Sequence, residues 1–144
     1  MTQYAFTDSE VAALTDRAAQ RRATNRRRQR ADKSVSGSHA DVVAAVAEEA
    51  LRLHLGLEEV PSSNEPVGWK VGGYTIRGTT DPEASLRVYE NDKGPMACVY
   101  VRKGYNLAIV VGWCDADFAK NRAYFNDRLK FPCYEVPSPH LVKF

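Results

Sequence analysis

Long apolar runs are missing from this chain of 144 residues, and nothing approaches the ~18 consecutive apolar residues of a membrane-spanning helix. The opening residues, Met-Thr-Gln-Tyr-Ala-Phe-Thr-Asp-Ser-Glu, combine neither a basic lead nor an apolar run, so no signal peptide is expected. Cysteine is scarce. Cys98, Cys114 and Cys133 are odd in number and widely spaced, which excludes a disulfide framework or a zinc ribbon and predicts ordinary buried thiols in a reducing compartment, the cytoplasm. The 44% hydrophobic and 26% charged composition excludes a wholly disordered chain.

Several chemical signatures are absent too. The one Gly-Gly pair, Gly72-Gly73, matches neither a P-loop nor a dinucleotide fingerprint. No Gly-x-Ser-x-Gly elbow occurs. His39, His54 and His140 lie far apart without ligand spacing, and structural roles are expected for all three. Asp115 and Asp117 follow an apolar strand, where they could meet a ligand or simply start a helix.

What is present is an uneven charge. Residues 1–33 carry +4 and the remaining 111 carry −2. All eight basic groups of the first part lie between positions 17 and 33, where Asp32 is the only acid. They are Arg17, Arg21, Arg22, Arg26, Arg27, Arg28, Arg30 and Lys33. Arginine presents a planar fork that grips phosphate in bidentate fashion. The cluster reads as a nucleic-acid-facing helix, an arm for an acidic partner, or a solvated basic face.

Thr7-Asp-Ser-Glu10 reads as a capping box ahead of a helix that starts near Asp8 and runs toward Asp32. Ser34 to Ser38 is a break. Val42, Val43, Val46, Ala47, Ala50, Leu51 and Leu53 mark a second helix ending at Gly56, with Glu48 or Glu49 near its apolar face. After a loop over 61–66 the period changes to two. A hairpin over 67–77 turns at Gly72-Gly73, and strands follow over 85–89, 96–102 and 106–113, the last predicted to be central. A short helix is expected near 115–122 and a last strand at 134–136. The order predicts an α+β fold: a mixed sheet of about five strands flanked by helices. The organisation expected is a basic helix and linker over 1–37 and an α/β core over 38–144, in one compact unit.

One resemblance emerges from this order. Ala47-Glu48-Glu49-Ala50 through Leu55-Gly56-Leu57 is similar to the Glu-bearing helix of small phage-encoded proteins of the PD-(D/E)XK nuclease superfamily. The basic lead-in over 25–37 resembles that of the same group. So do the hairpin around Val71-Gly72-Gly73-Tyr74-Thr75-Ile76-Arg77, the strand with Ile109-Val-Val-Gly112-Trp113, and the closing Tyr134-Glu-Val136-Pro137. The resemblance covers roughly 20–142 and implies a restriction-endonuclease-like core in a phage or host-cell cytoplasmic setting.

It also implies site residues. Enzymes of that superfamily hold Mg²⁺ on carboxylates beside the scissile phosphate, because hard cations take oxygen ligands. The helix Glu falls on Glu48, with Glu49 as fallback. The hairpin Asp position falls on Lys70, the acid of the (D/E)XK element on Thr75 and its lysine on Arg77. Three of the four positions thus depart from the pattern. Lys70 puts a cation where a metal would sit, Thr75 is a weak ligand, and Arg77 cannot accept a proton. Asp81 is the best remaining acid to join Glu48 around a metal. The expectation is a nuclease-like fold whose catalysis is lost, with no cofactor, or Mg²⁺ if active. Glu48 would then form an ion pair with Lys70 or Arg77. Expected partners are nucleic acid, DNA before RNA, or an acidic or nucleic-acid-containing protein complex; no membrane is expected. Trp69, Tyr74, Tyr89 and Tyr100 are candidates for base stacking or for half-buried strand packing.

Overall fold

The computed structural model describes residues 2–28, 38–58 and 70–144. The fold is α+β, as expected. Its main sheet has five strands in the order β1-β6-β5-β3-β2: β1 Thr2–Ala5, β6 Leu107–Asp115, β5 Pro95–Val101, β3 Tyr74–Thr79 and β2 Lys70–Val71. All its pairings are antiparallel except β3 with β5. Helices α1 Asp8–Arg28 and α2 Ser38–Leu55 cover one face. A second sheet of β4 Leu86–Val88, β8 Cys133–Val136 and β7 Phe125–Asn126 covers the other, with the short helix α3 Ala116–Ala119.

Two details differ from the sequence reading. The strands at 85–89 and 134–136 do not join the main sheet; they pair with each other, Arg87 opposite Glu135, in the smaller one. The fifth main strand is instead β1, whose Thr2–Ala5 pairs with Val110–Leu107. Period-two alternation identifies a strand but not its partner.

The helix starts are built as the sequence predicts. The Glu10 N–H donates to Thr7 Oγ1 at 3.2 Å, and the Thr7 N–H donates back to Glu10 Oε1 at 3.0 Å. Leu14 and Ala18 of α1 are buried with Val42, Val46 and Leu51 of α2. With β1 in the sheet and α1 on α2, residues 2–21 pack with the rest of the fold and are not a separate arm. α2 ends at Gly56, whose φ of +68° suits a residue without Cβ.

Strands β5 and β6 separate the two cores. Ala97, Val99 and Val101 face the helices, while Met96 and Cys98 face the small sheet. On β6, Val110 and Trp113 both serve the helix side although they are three positions apart, an odd offset. A bulge opposite Cys98 and Val99 makes this possible, because it inserts one extra residue and resets the alternation. Beyond the bulge, Trp113 exchanges two backbone hydrogen bonds with Val142, of 2.9 and 2.8 Å. The C-terminal segment and β1 therefore share one edge of β6, which leaves little of it open to pairing.

All three cysteines are free and buried, as expected. Burial pushes the Cys98 thiol up to about 12 and that of Cys114 up to about 11. Neither Cys98 nor Cys114 is expected to react with a thiol-specific disulfide reagent in the native state, whereas both titrate fully in guanidinium. A Cβ on Gly112 would lie 2.7 Å from the Val142 carbonyl oxygen and 2.9 Å from Leu141 Cβ. Gly112→Ala is expected to cost about 1–3 kcal/mol by overpacking, read from urea denaturation.

Candidate functional site

Glu48 is the one buried charged residue among the described residues, at 6% exposure. It sits in the middle of α2, on the side turned to α1, between Ala47 and Ala50, which are fully buried. A carboxylate left alone there would be costly. Arg21 of α1 meets it: Nη1 donates a short hydrogen bond to Glu48 Oε2. Next to this pair, Arg17 lies 3.8 Å from Glu49, and Arg52 reaches Glu49 through both Nε and Nη2. These residues, with Lys70 and Val71, line a cleft of about 30 Å³. That is room for about two waters and no more.

The sequence reading placed Glu48 against Lys70 or Arg77. The guanidinium that meets it comes from neither, but from the basic helix itself. Arg21 was expected to face nucleic acid; its side chain is spent on an internal ion pair. Sequence distance hid this contact, since Arg21 and Glu48 are 27 positions apart on different helices. The signal that could have found it is the pairing of a buried mid-helix acid with an arginine one helix earlier, both on apolar stripes.

The other motif positions lie elsewhere. Tyr74 and Ile76 pack on the helix-side core, so Thr75 and Arg77 between them point to the opposite face of the sheet. Arg77 Nη2 donates to both oxygens of Asp92, at 2.7 and 2.8 Å, and its guanidinium lies 5.6 Å from the Tyr89 ring centroid. Asp92 also accepts from the Tyr89 N–H, and Lys120 Nζ donates to its backbone oxygen. Arg77 thus ties β3 to the turn that precedes β5. Lys70 is exposed, opposite Thr75 in the β2–β3 hairpin. Asp81 caps its own turn, accepting from the Glu83 N–H at 3.0 Å. It lines a larger groove of about 790 Å³ beside Arg77, Arg87, Tyr89, Glu135 and the first turns of α2. The structure therefore brings Glu48 and Lys70 to one cleft and Arg77 and Asp81 to another.

A Mg²⁺ ion does not fit the residues present. Its proposed ligands Glu48 and Asp81 line different clefts, and the Glu48 carboxylate already holds a guanidinium. No group of three His, Cys, Asp or Glu suited to a metal occurs among the described residues.

Of the basic cluster, Arg22, Arg26, Arg27 and Arg28 belong to α1, and Arg30 and Lys33 lie outside the described residues. Among the aromatic candidates, Tyr74 and Tyr100 pack against the cores and Trp69 lies outside the described residues. Each histidine meets a tyrosine hydroxyl through Nδ1: His54 with Tyr4 at 2.8 Å, His39 with Tyr105 at 2.6 Å and His140 with Tyr124 at 2.9 Å. Asp115 N-caps α3 by accepting from the Asp117 N–H. No described helix is long and apolar enough to cross a membrane. The chain matches no protein-family model, no curated protein and no solved structure.

Burial raises the Glu48 carboxyl above the usual carboxylate range, with the Arg21 guanidinium pulling the other way. A raised value means that the folded state holds this proton more tightly than the unfolded chain. The stability it contributes is present below the ordinary glutamate range and is lost as pH rises through the folded value. Glu48→Gln is expected to flatten that part of the stability–pH curve, measured by urea denaturation between pH 4 and 8. Removing either partner alone, Arg21→Ala or Glu48→Ala, should cost about 3–5 kcal/mol, because it strands the other. The double replacement Arg21→Met with Glu48→Leu should cost less than either single change.

Proposed function

We infer that the protein is a phage-type nuclease-fold protein that binds nucleic acid and has lost catalysis. The observation that carries this reading is the division of labour along α1. Leu14 and Ala18 dock the first half of the helix, buried in the core it shares with α2. Arg28 lies ten residues further on, about 15 Å along the axis. Four arginines, Arg22, Arg26, Arg27 and Arg28, occupy that second half. Like charges at such spacing repel along a helix, and phosphates relieve the repulsion. Loss of catalysis follows from Glu48. Glu48 is clamped by Arg21, the neighbouring Glu49 is held by Arg17 and Arg52, and Thr75 and Arg77 lie on the far face of the sheet, so neither carboxylate is free for metal-assisted hydrolysis.

The test is duplex binding measured by fluorescence anisotropy across a salt series, beside a plasmid-nicking assay with Mg²⁺ and Mn²⁺. Binding should weaken steeply with salt, and the Arg26→Ala/Arg27→Ala/Arg28→Ala variant should lower the log–log slope by up to about 2.7. No nicking is expected. Metal-dependent nicking abolished by Glu48→Gln would establish an active nuclease instead. A wild-type protein that ignores DNA at low salt would leave the arginines to an acidic protein partner.

A further inference from the structure

Among the described residues, 118–131 hold three of the four exposed phenyl rings, and they are unused by the site above. Phe118, Phe125 and Phe131 are 52%, 45% and 67% exposed. The stretch carries Lys120, Arg122, Arg128 and Lys130 against one acid, Asp127. Among the described residues, no carboxylate lies within ion-pair distance of Arg122, Arg128 or Lys130.

Two of the rings are backed by tyrosines. Phe118 leans on Tyr124 with centroids 6.0 Å apart, and Phe125 on Tyr134 at 5.2 Å. Phe125 opposes Tyr134 in the β7–β8 pair, so a hydrogen-bonded strand sets its position. Phe131 stands in the loop joining those strands, with the Lys130 ammonium 5.6 Å from its ring centroid. Every exposed large apolar side chain of the stretch is a phenyl ring. Its single large aliphatic residue, Leu129, is half-buried.

We propose that this face binds single-stranded nucleic acid, its bases stacking on Phe118, Phe125 and Phe131 and its phosphates meeting Arg122, Arg128 and Lys130. The ligand must supply flat apolar faces and regularly spaced negative charge. Unpaired nucleotides offer both, whereas duplex bases are already stacked on each other. A membrane surface would be met by projecting aliphatic side chains, and here the one large aliphatic residue is half-buried. The surface is separate from the arginine half of α1 and shares with that reading only the class of ligand.

The experiment uses the full chain, with a labelled twenty-nucleotide oligothymidine and a labelled twenty-base-pair duplex titrated side by side. Phe118→Leu/Phe131→Leu keeps apolar bulk at exposed positions and removes the rings; circular dichroism checks its fold. Its affinity for the single strand should fall at least tenfold, with duplex affinity and salt slope unchanged. Phe118→Trp/Phe131→Trp should restore single-strand binding. Equal single-strand affinity of the leucine variant and wild type would overturn the proposal, as would a wild type that leaves the oligonucleotide unbound. Binding to phosphatidylserine vesicles that the leucine variant loses, without single-strand binding, would reassign the face to a lipid surface. Failure of the α1 reading is seen separately, as duplex affinity untouched by the triple arginine variant.

Discussion

The contact between Arg21 and Glu48 joins the two helices through the one buried charged residue among the described residues. α2 is enclosed on two sides, by the sheet beneath it and by α1 across it. Its sheet side is made of small and branched residues that allow close approach: Val43 and Ala47 lie against Gly78 of β3, where a Cβ would meet Val43 Cγ1 at 2.9 Å. Its α1 side contains a carboxylate. Such a group is tolerated only when a cation and its hydrogen bonds travel into the interior with it. The register of α1 on α2 is therefore set by chemistry as well as by shape. Sliding α1 by one turn would leave Leu14 and Ala18 against apolar neighbours but would part Arg21 from Glu48.

Much of the fold was legible because local rules and tertiary structure agree. The Thr7–Glu10 capping box, the Gly56 terminus and the Gly72-Gly73 turn are each encoded within a few residues. The apolar run of β6 also announced a strand covered on both faces. What was not legible was pairing. Thr2–Ala5 has no apolar alternation, since it lies at an edge and is mostly exposed, and only its contact with β6 makes it a strand. The split into two sheets is equally non-local. It depends on the chain crossing from β4 to β5 through the Asp92 turn, and Arg77 fastens that turn from β3.

The candidate site shows the same limit from the chemical side. The family resemblance points to Glu48 as the helix acid, with Glu49 as fallback, and Glu48 is the one buried charged residue among the described residues. Its partner was not identifiable, because a charge-pair argument from sequence favours residues on the same motif. Parity decides the matter for Thr75 and Arg77. One residue of offset along a strand reverses the face, so residues flanking Ile76 cannot join an acid on the helix side. A motif transferred by order alone carries no information about parity.

The composition of α1 follows from these constraints. One arginine of the cluster is required inside, and it must be arginine: a planar donor can satisfy a buried carboxylate with directed hydrogen bonds while its stem packs along the helix. Leu14 and Ala18 are the buried residues of α1 over positions 8–21. The helix continues with Arg22, Arg26, Arg27 and Arg28 in the space of seven residues. Their mutual repulsion opposes the helix that contains them. On the reading proposed above, phosphates met outside the fold relieve that repulsion.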